Sequence, residues 1–228
     1  PMLMMRSESI QAAATLLAQQ VSTALRDAVQ ARGVASLLVP GGRTPVPFFR
    51  ELRRHDIPWR RILVSLTDER WVPDDHADSN ARLVRTELLA DAAAVATFVP
   101  LHNPAPTAAQ GAVGSWQALA LLPRPFDAVV LGMGDDGHFA SLFPRSPGLA
   151  QALDLGAAPG CVAMRAPAAP EDRISLNLAA LADARQLHLF ITGQRKLALV
   201  ACAGEGDPLP IHALLSLPKP DLVVCWAP

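Results

Sequence analysis

Tyrosine is absent from this chain and lysine nearly so: Lys196 and Lys219 stand alone among twenty basic residues, the other eighteen being arginine. With alanine abundant, that bias reads as a habit of the coding genome and carries no functional information. No sign of charge predominates, since twenty Lys and Arg offset 21 Asp and Glu to a formal net charge of −1 at pH 7. A neutral chain lacks the broad basic field that draws nucleic acid or anionic lipid, so any anion site has to be built locally. Cysteine is scarce, with Cys161, Cys202 and Cys225 widely spaced and no CxxC pair. That pattern excludes a disulfide framework and a cysteine zinc site, and it suits a reducing cytosol. Long apolar runs are missing too, none reaching the roughly 18 residues of a membrane helix. The N-terminal PMLMMRSESI has no charged segment leading into an apolar run of signal length. A cytoplasmic protein with neither membrane nor nucleic-acid partner is expected.

What is present is core material. Half of the residues are apolar and 18% are charged, which supports a buried interior and argues against disorder. At 228 residues the chain stays within the roughly 250 that one core accommodates. Its 21 prolines and 14 glycines punctuate periodic segments without forming a linker, so a single domain over residues 1–228 is expected. From Ser7 to Arg32, Ile10, Ala14, Leu17, Val21, Leu25 and Ala28 recur at helical spacing, and Gly33 ends the run. Short β-rich runs at 34–39, 62–66, 128–131, 187–191 and 222–226 then alternate with helical patterns at 45–54, 79–89, 107–122 and 194–203. Several of those runs are apolar throughout, as strands covered on both faces are. The alternation predicts an α/β fold: a single doubly wound, mostly parallel sheet with helices on both faces. Runs at 161–165 and 174–178 bracket the segment APAAP and form either a small strand excursion or a loop.

In such sheets ligands bind beyond the carboxyl ends of the strands, and four strand-end segments carry chemistry. VPGGRTP (Val39 to Pro45) places Gly41 and Gly42 where backbone can approach an oxyanion, with Thr44 suited to cap the following helix and Pro45 to its first position. Amides at that helix start would face phosphate, although glycine turns before helices also arise for steric reasons alone. SLTDERWVPDDHADSN (Ser65 to Asn80) sets Asp68, Glu69 and Arg70 directly after a strand. Glu69 reads as a loop-ordering ion-pair partner of a neighbouring arginine, while Arg70 offers a planar fork for an oxygen or an ion pair that orders the loop. Asp78 and Ser79 suit a helix cap, and Asn80 can brace the loop. FDAVVLGMGDDGHFASLFP (Phe126 to Pro144) ends a buried strand in three glycines interleaved with Asp135, Asp136 and His138. The glycines free the backbone to present His138, and an adjacent carboxylate can hold its tautomer. Finally, in EDRISLNL and TGQRK, Lys196 stands in the first turn of a helix, where the dipole disfavours a cation unless it serves an anion. Solvent exposure would also explain Lys196, and Arg173 reads equally as a surface charge at the start of a strand.

Together and in this order, GGRTP, DERWV with DSN, LGMGDDGHFASLFP, DRISLNL and TGQRK resemble the 6-phosphogluconolactonase family across nearly the whole chain. The resemblance implies the scaffold shared with glucosamine-6-phosphate deaminases and ribose-5-phosphate isomerases. It also implies metal-free, cofactor-free hydrolysis of 6-phospho-D-glucono-1,5-lactone to 6-phosphogluconate in the oxidative pentose phosphate pathway, the sugar-phosphate lactone being the partner. Carried over, His138 is the general base that activates water, with Asp136 as its orienting partner and Asp135 competing for that place. Gly41, Gly42, Arg43 and Thr44 correspond to the phosphate loop, Arg173 and Lys196 to its cationic partners, and Asp68 and Arg70 to substrate contacts, Arg70 at the sugar hydroxyls or the lactone oxygen. Arg43 departs from the hydroxyl residue usual at its place in the deaminases; its guanidinium either replaces that donor or points outward.

The rivals are a deaminase or isomerase on the same scaffold and a non-catalytic sugar-phosphate sensor. Deaminases carry an acidic residue shortly after the DGH segment, where this chain continues Ser141, Leu142, Phe143, Pro144. Ser141, three residues past His138, is disfavoured as a nucleophile, since no GxSxG elbow occurs. His55, His76, His102, His188 and His212 show no metal-ligand spacing and read as loop or packing residues.

Overall fold

Burial follows the apolar runs in the computed structural model, which describes residues 1–202, 204 and 206–228. In chain order the elements are β1 (Met2–Arg6), α1 (Ile10–Arg32), β2 (Ala35–Val39), α2 (Val46–Leu52), β3 (Ile62–Leu66), β4 (Asp68–Arg70), α3 (Asn80–Glu87), β5 (Thr97–Phe98) and α4 (Ala108–Ala118). Then follow β6 (Ala128–Leu131), α5 (Leu149–Ala152), β7 (Cys161–Arg165), β8 (Asp172–Leu176), α6 (Leu178–Ala182), β9 (Leu187–Thr192), α7 (Gln194–Ala201), α8 (Pro210–Leu215) and β10 (Leu222–Ala227). Seven strands form one sheet in the order β1-β10-β9-β6-β2-β3-β5, every pairing parallel. Every residue of β2 and β6 is buried, which requires helices on both faces of the sheet.

The chain leaves β2 toward β3 on one side, whereas β6, hydrogen-bonded to the other edge of β2, leads on to β9 and β10. Neighbouring strands whose connections depart in opposite directions open a crevice at their carboxyl ends. A second, antiparallel sheet of order β4-β8-β7 borders that crevice.

Local chemistry explains several helix boundaries. Ser9 caps α1 by accepting the Ala12 amide at 3.0 Å, and Gly33 closes it with φ +82°. Ser79 and Thr107 cap α3 and α4 in the same way. Other expectations need correction. Thr44 does not cap α2: Pro45 holds the cap position, and no side chain bonds the first amides. The strand read at 174–178 begins at Asp172 instead, because pairing with β7 sets Arg173 opposite Met164, so Arg173 lies inside the strand. The helix read at 194–203 is described to Ala201, and Ala203 lies outside the described residues. β1, β4, β5, α5, α6 and α8 carry no pattern that announced them. No helix of the described residues is long and apolar enough to cross a membrane.

Candidate active site

At the crevice, the turns after β2 and β6, the β4–β8 pair and the start of α7 enclose a cavity of about 210 Å³. Gly41, Gly42, Arg43, Thr44, Asp68, Arg70, His138, Arg173 and Lys196 all line it. Of the expected site residues, Asp136 and its competitor Asp135 are absent from the wall; both border a neighbouring cavity, and it is Asp136 that bonds His138.

That arrangement begins in the glycines. The amide of Gly134 donates to the carbonyl of His138 at 2.9 Å, and that of Gly137 to the carbonyl of Gly134 at 3.0 Å, folding the segment into a tight turn. Gly137 adopts φ +79°, a conformation that favours glycine. A β-carbon on Gly134 would collide with the imidazole of His138, so the ring occupies space that only glycine leaves. Asp136 then engages the ring: its Oδ1 lies 2.5 Å from His138 Nδ1 and accepts the His138 amide at 3.1 Å. Burial pushes the Asp136 carboxyl up, but the bonds from His138 outweigh it, and its pKa falls below the ordinary value. An ionised Asp136 keeps the proton on Nδ1 and leaves Nε2 as the basic nitrogen.

Opposite it lies a patch of unsatisfied positive charge. Antiparallel pairing sets Arg70 directly across from Arg173. The Nε atoms of both are buried without a hydrogen-bond partner, while Arg70 Nη1 donates to the Asp78 carbonyl at 2.6 Å. Burial and the neighbouring Arg70 charge lower the pKa of Arg173. Two adjoining guanidiniums with idle donors are arranged for an anion or a polarised oxygen. Asp68 lies beneath them, 7% exposed; its Oδ2 accepts from Ser141 Oγ at 2.5 Å and its Oδ1 from Thr67 Oγ1 at 3.1 Å.

Glu69 corrects an expectation. It forms no ion pair with an arginine among the described residues; it accepts the amides of Arg70, Asn80 and Ala81 and the Ser79 hydroxyl, at 2.7 to 3.1 Å. Fully buried, its carboxyl is pushed up to about 7 by desolvation, against the pull of those donors. It ties the start of α3 to β4. Asn80, thus placed, donates to the Asp68 carbonyl at 3.0 Å and packs so closely on Gly41 that a β-carbon there would collide with it.

The remaining cations are less constrained. Arg43 is exposed and Lys196 half-buried in the first turn of α7, and neither has an ion-pair partner among the described residues. Ser141, buried against Asp68, is a support that sequence reasoning weighed only as a nucleophile. His188 is buried within β9, and His102 packs tilted against Trp71 with ring centroids 4.8 Å apart. Among the described residues no group of three or more His, Cys, Asp or Glu is placed to hold a metal ion.

The chain matches the family model "Glucosamine-6-phosphate isomerases/6-phosphogluconolactonase" over residues 8–223. It is 47% identical over 215 residues to a 6-phosphogluconolactonase of Pseudomonas aeruginosa, spanning 93% of this chain and 89% of that protein. To one of Rhizobium meliloti it is 43% identical over 224 residues, 97% of each. Its fold superposes on the crystal structure of a 6-phosphogluconolactonase from Shewanella baltica with a TM-score of 0.94 at 40% identity, covering 100% of this chain and 98% of that one. A monomeric glucosamine-6-phosphate deaminase shares the fold at 18% identity with a TM-score of 0.78, covering 99% and 97%.

Proposed function

We propose, from the premise that the chain belongs to the glucosamine-6-phosphate isomerase/6-phosphogluconolactonase family, that it hydrolyses 6-phospho-D-glucono-1,5-lactone to 6-phosphogluconate. The observation that carries this reading is the juxtaposition of the Asp136–His138 pair with Arg70, Arg173 and Lys196 around a single cavity. A phosphate monoester carries nearly two negative charges at neutral pH, and in a near-neutral protein only such a local cluster balances them.

The phosphate is held by the Gly41–Thr44 turn with Lys196, which fixes the ring and converts an encounter into an oriented reaction. His138 Nε2 takes a proton from water as the water oxygen bonds to lactone C1. The carbonyl π electrons move onto oxygen, and the guanidiniums of Arg70 and Arg173 stabilise that oxyanion, Arg173 serving there instead of at the phosphate because strand pairing sets it across from Arg70. As the carbonyl re-forms, the bond from C1 to the ring oxygen breaks, and the imidazolium returns its proton to that oxygen. Asp68, supported by Ser141 and Thr67, accepts a sugar hydroxyl. The side chain packed against the His138 ring is Phe143, centroids 4.5 Å apart, an apolar residue of the segment in which deaminases carry an acidic one. A reducing cytosol accords with this assignment, the three cysteines being free thiols.

The test is lactone consumption, corrected for spontaneous hydrolysis, by wild type and His138→Ala. Loss of a general base lowers kcat by about 10²- to 10⁴-fold, with no ammonia released from glucosamine 6-phosphate by either protein. Equal rates from two folded proteins would remove His138 from the mechanism.

A further inference from the structure

His138 and Arg173 lie 35 positions apart in the sequence, on the turn after β6 and on β8. A third side chain joins them. Phe143, 6% exposed, has its ring centroid 4.5 Å from that of His138 at an interplanar angle of 41°. The guanidinium carbon of Arg173 lies 5.6 Å from the same centroid. Phe143 does not line the cavity that His138 lines. It borders a second one of about 670 Å³, shared with Arg173, Asp136, Leu149 and Leu209. The ring therefore lies on the wall of the second cavity with the imidazole and the guanidinium set against it, and Arg173 borders both cavities.

We propose that Phe143 is a positioning residue for the lactone hydrolysis, a role that rests on the function assigned above: its ring backs His138 and Arg173 and holds both toward the substrate cavity. Asp136 restrains the imidazole through Nδ1, but one hydrogen bond leaves a ring free to tilt about it, and a neighbouring aromatic ring removes that freedom. Arg173 gains attraction to the same ring without consuming an N–H, so its terminal Nη donors remain available to an oxyanion. A displacement of about 1 Å in a reacting group can cost on the order of a hundredfold in rate, so one ring that fixes two such groups matters beyond the space it fills. An aliphatic side chain replaces the volume but not the stacking partner.

The proposal is tested with kcat, KM and thermal unfolding of wild type, Phe143→Leu and Phe143→Tyr, whose hydroxyl has the second cavity to enter. Phe143→Leu is expected to lower kcat by about tenfold or more and to change KM less, at a melting temperature within a few degrees of wild type. Phe143→Tyr is expected to restore at least half of the wild-type kcat. A Leu variant within twofold of wild-type kcat, or a Tyr variant as slow as the Leu variant, overturns the role. If the Leu variant does not fold, Phe143→Met takes its place under the same criteria. Turnover by wild type tests the reaction separately: an inactive wild type overturns the assigned function. The stack is then read from the His138 Cε1–H resonance, identified by its loss in His138→Ala. Movement of that resonance in Phe143→Leu supports the stack, and an unchanged position overturns it.

Discussion

Lys196 shows how much one residue reveals before and after folding. A lysine at the start of a helix opposes the dipole, and the structure places this one on the cavity wall with no acidic partner among the described residues. Lys196→Ala is expected to raise KM by about tenfold while lowering kcat less, since one charge-assisted contact is worth about 1.5 kcal/mol. Steady-state kinetics checks this, and the reverse pattern would move Lys196 to the chemistry. His138 and the Gly41–Gly42 turn were legible because glycine, carboxylate and imidazole sit within a few positions of one another. The partners of Glu69 were not, because backbone amides eleven and twelve positions away satisfy it and amides leave no trace in residue identity. Phe143 stands in the sequence only as part of the apolar continuation after the DGH segment, and only the ring distances reveal what it touches.

At the scale of elements, the Ser79 cap, the Gly33 stop and the continuous apolar strands were readable, whereas the start of α2 and β4 were not. Its residues Asp68, Glu69 and Arg70 have weak strand preference, and pairing with Ser175, Ile174 and Arg173 imposes the conformation. That same pairing moved the start of β8 and brought the two arginines together. The opposite end of the sheet carries a lock without a catalytic part. Asp127, 2% exposed, accepts the Ser36 amide at 2.9 Å and pairs with Arg32 and with Arg185, the latter at 3.5 Å. Without it Arg32 and Arg185 remain partly solvated but the buried Ser36 amide loses its acceptor, so Asp127→Ala is expected to cost about 1 to 3 kcal/mol and to lower Tm by about 5 °C. Differential scanning calorimetry checks this. KM is expected to stay at the wild-type value, because Asp127 stands at the amino ends of β2 and β6 and the site at their carboxyl ends.

Over the whole molecule, stability carries a pH signature from His188. Desolvation inside β9 lowers its pKa from 6.5 to about 4. The folded value lies below the unfolded one, so the contribution is intact above pH 6.5 and is lost as pH falls toward 4, where the unfolded chain takes up a proton that the fold refuses. Chemical denaturation at pH 7 and pH 5 should therefore show wild type losing about 2 kcal/mol more than His188→Leu over that interval, and equal losses would refute it. Apolar runs alternating with helical periods are written in the residues themselves, because burial on both faces demands them, and that pattern alone implied a parallel α/β sheet with glycine-rich turns at its strand ends. Strand order is not so written. Placing β6 beside β2 with connections departing in opposite directions, and Arg70 across from Arg173, depends on contacts between residues distant along the chain. Those contacts form only when the sheets assemble, so convergence of the imidazole, the guanidiniums and Lys196 on one cavity is a property of the fold.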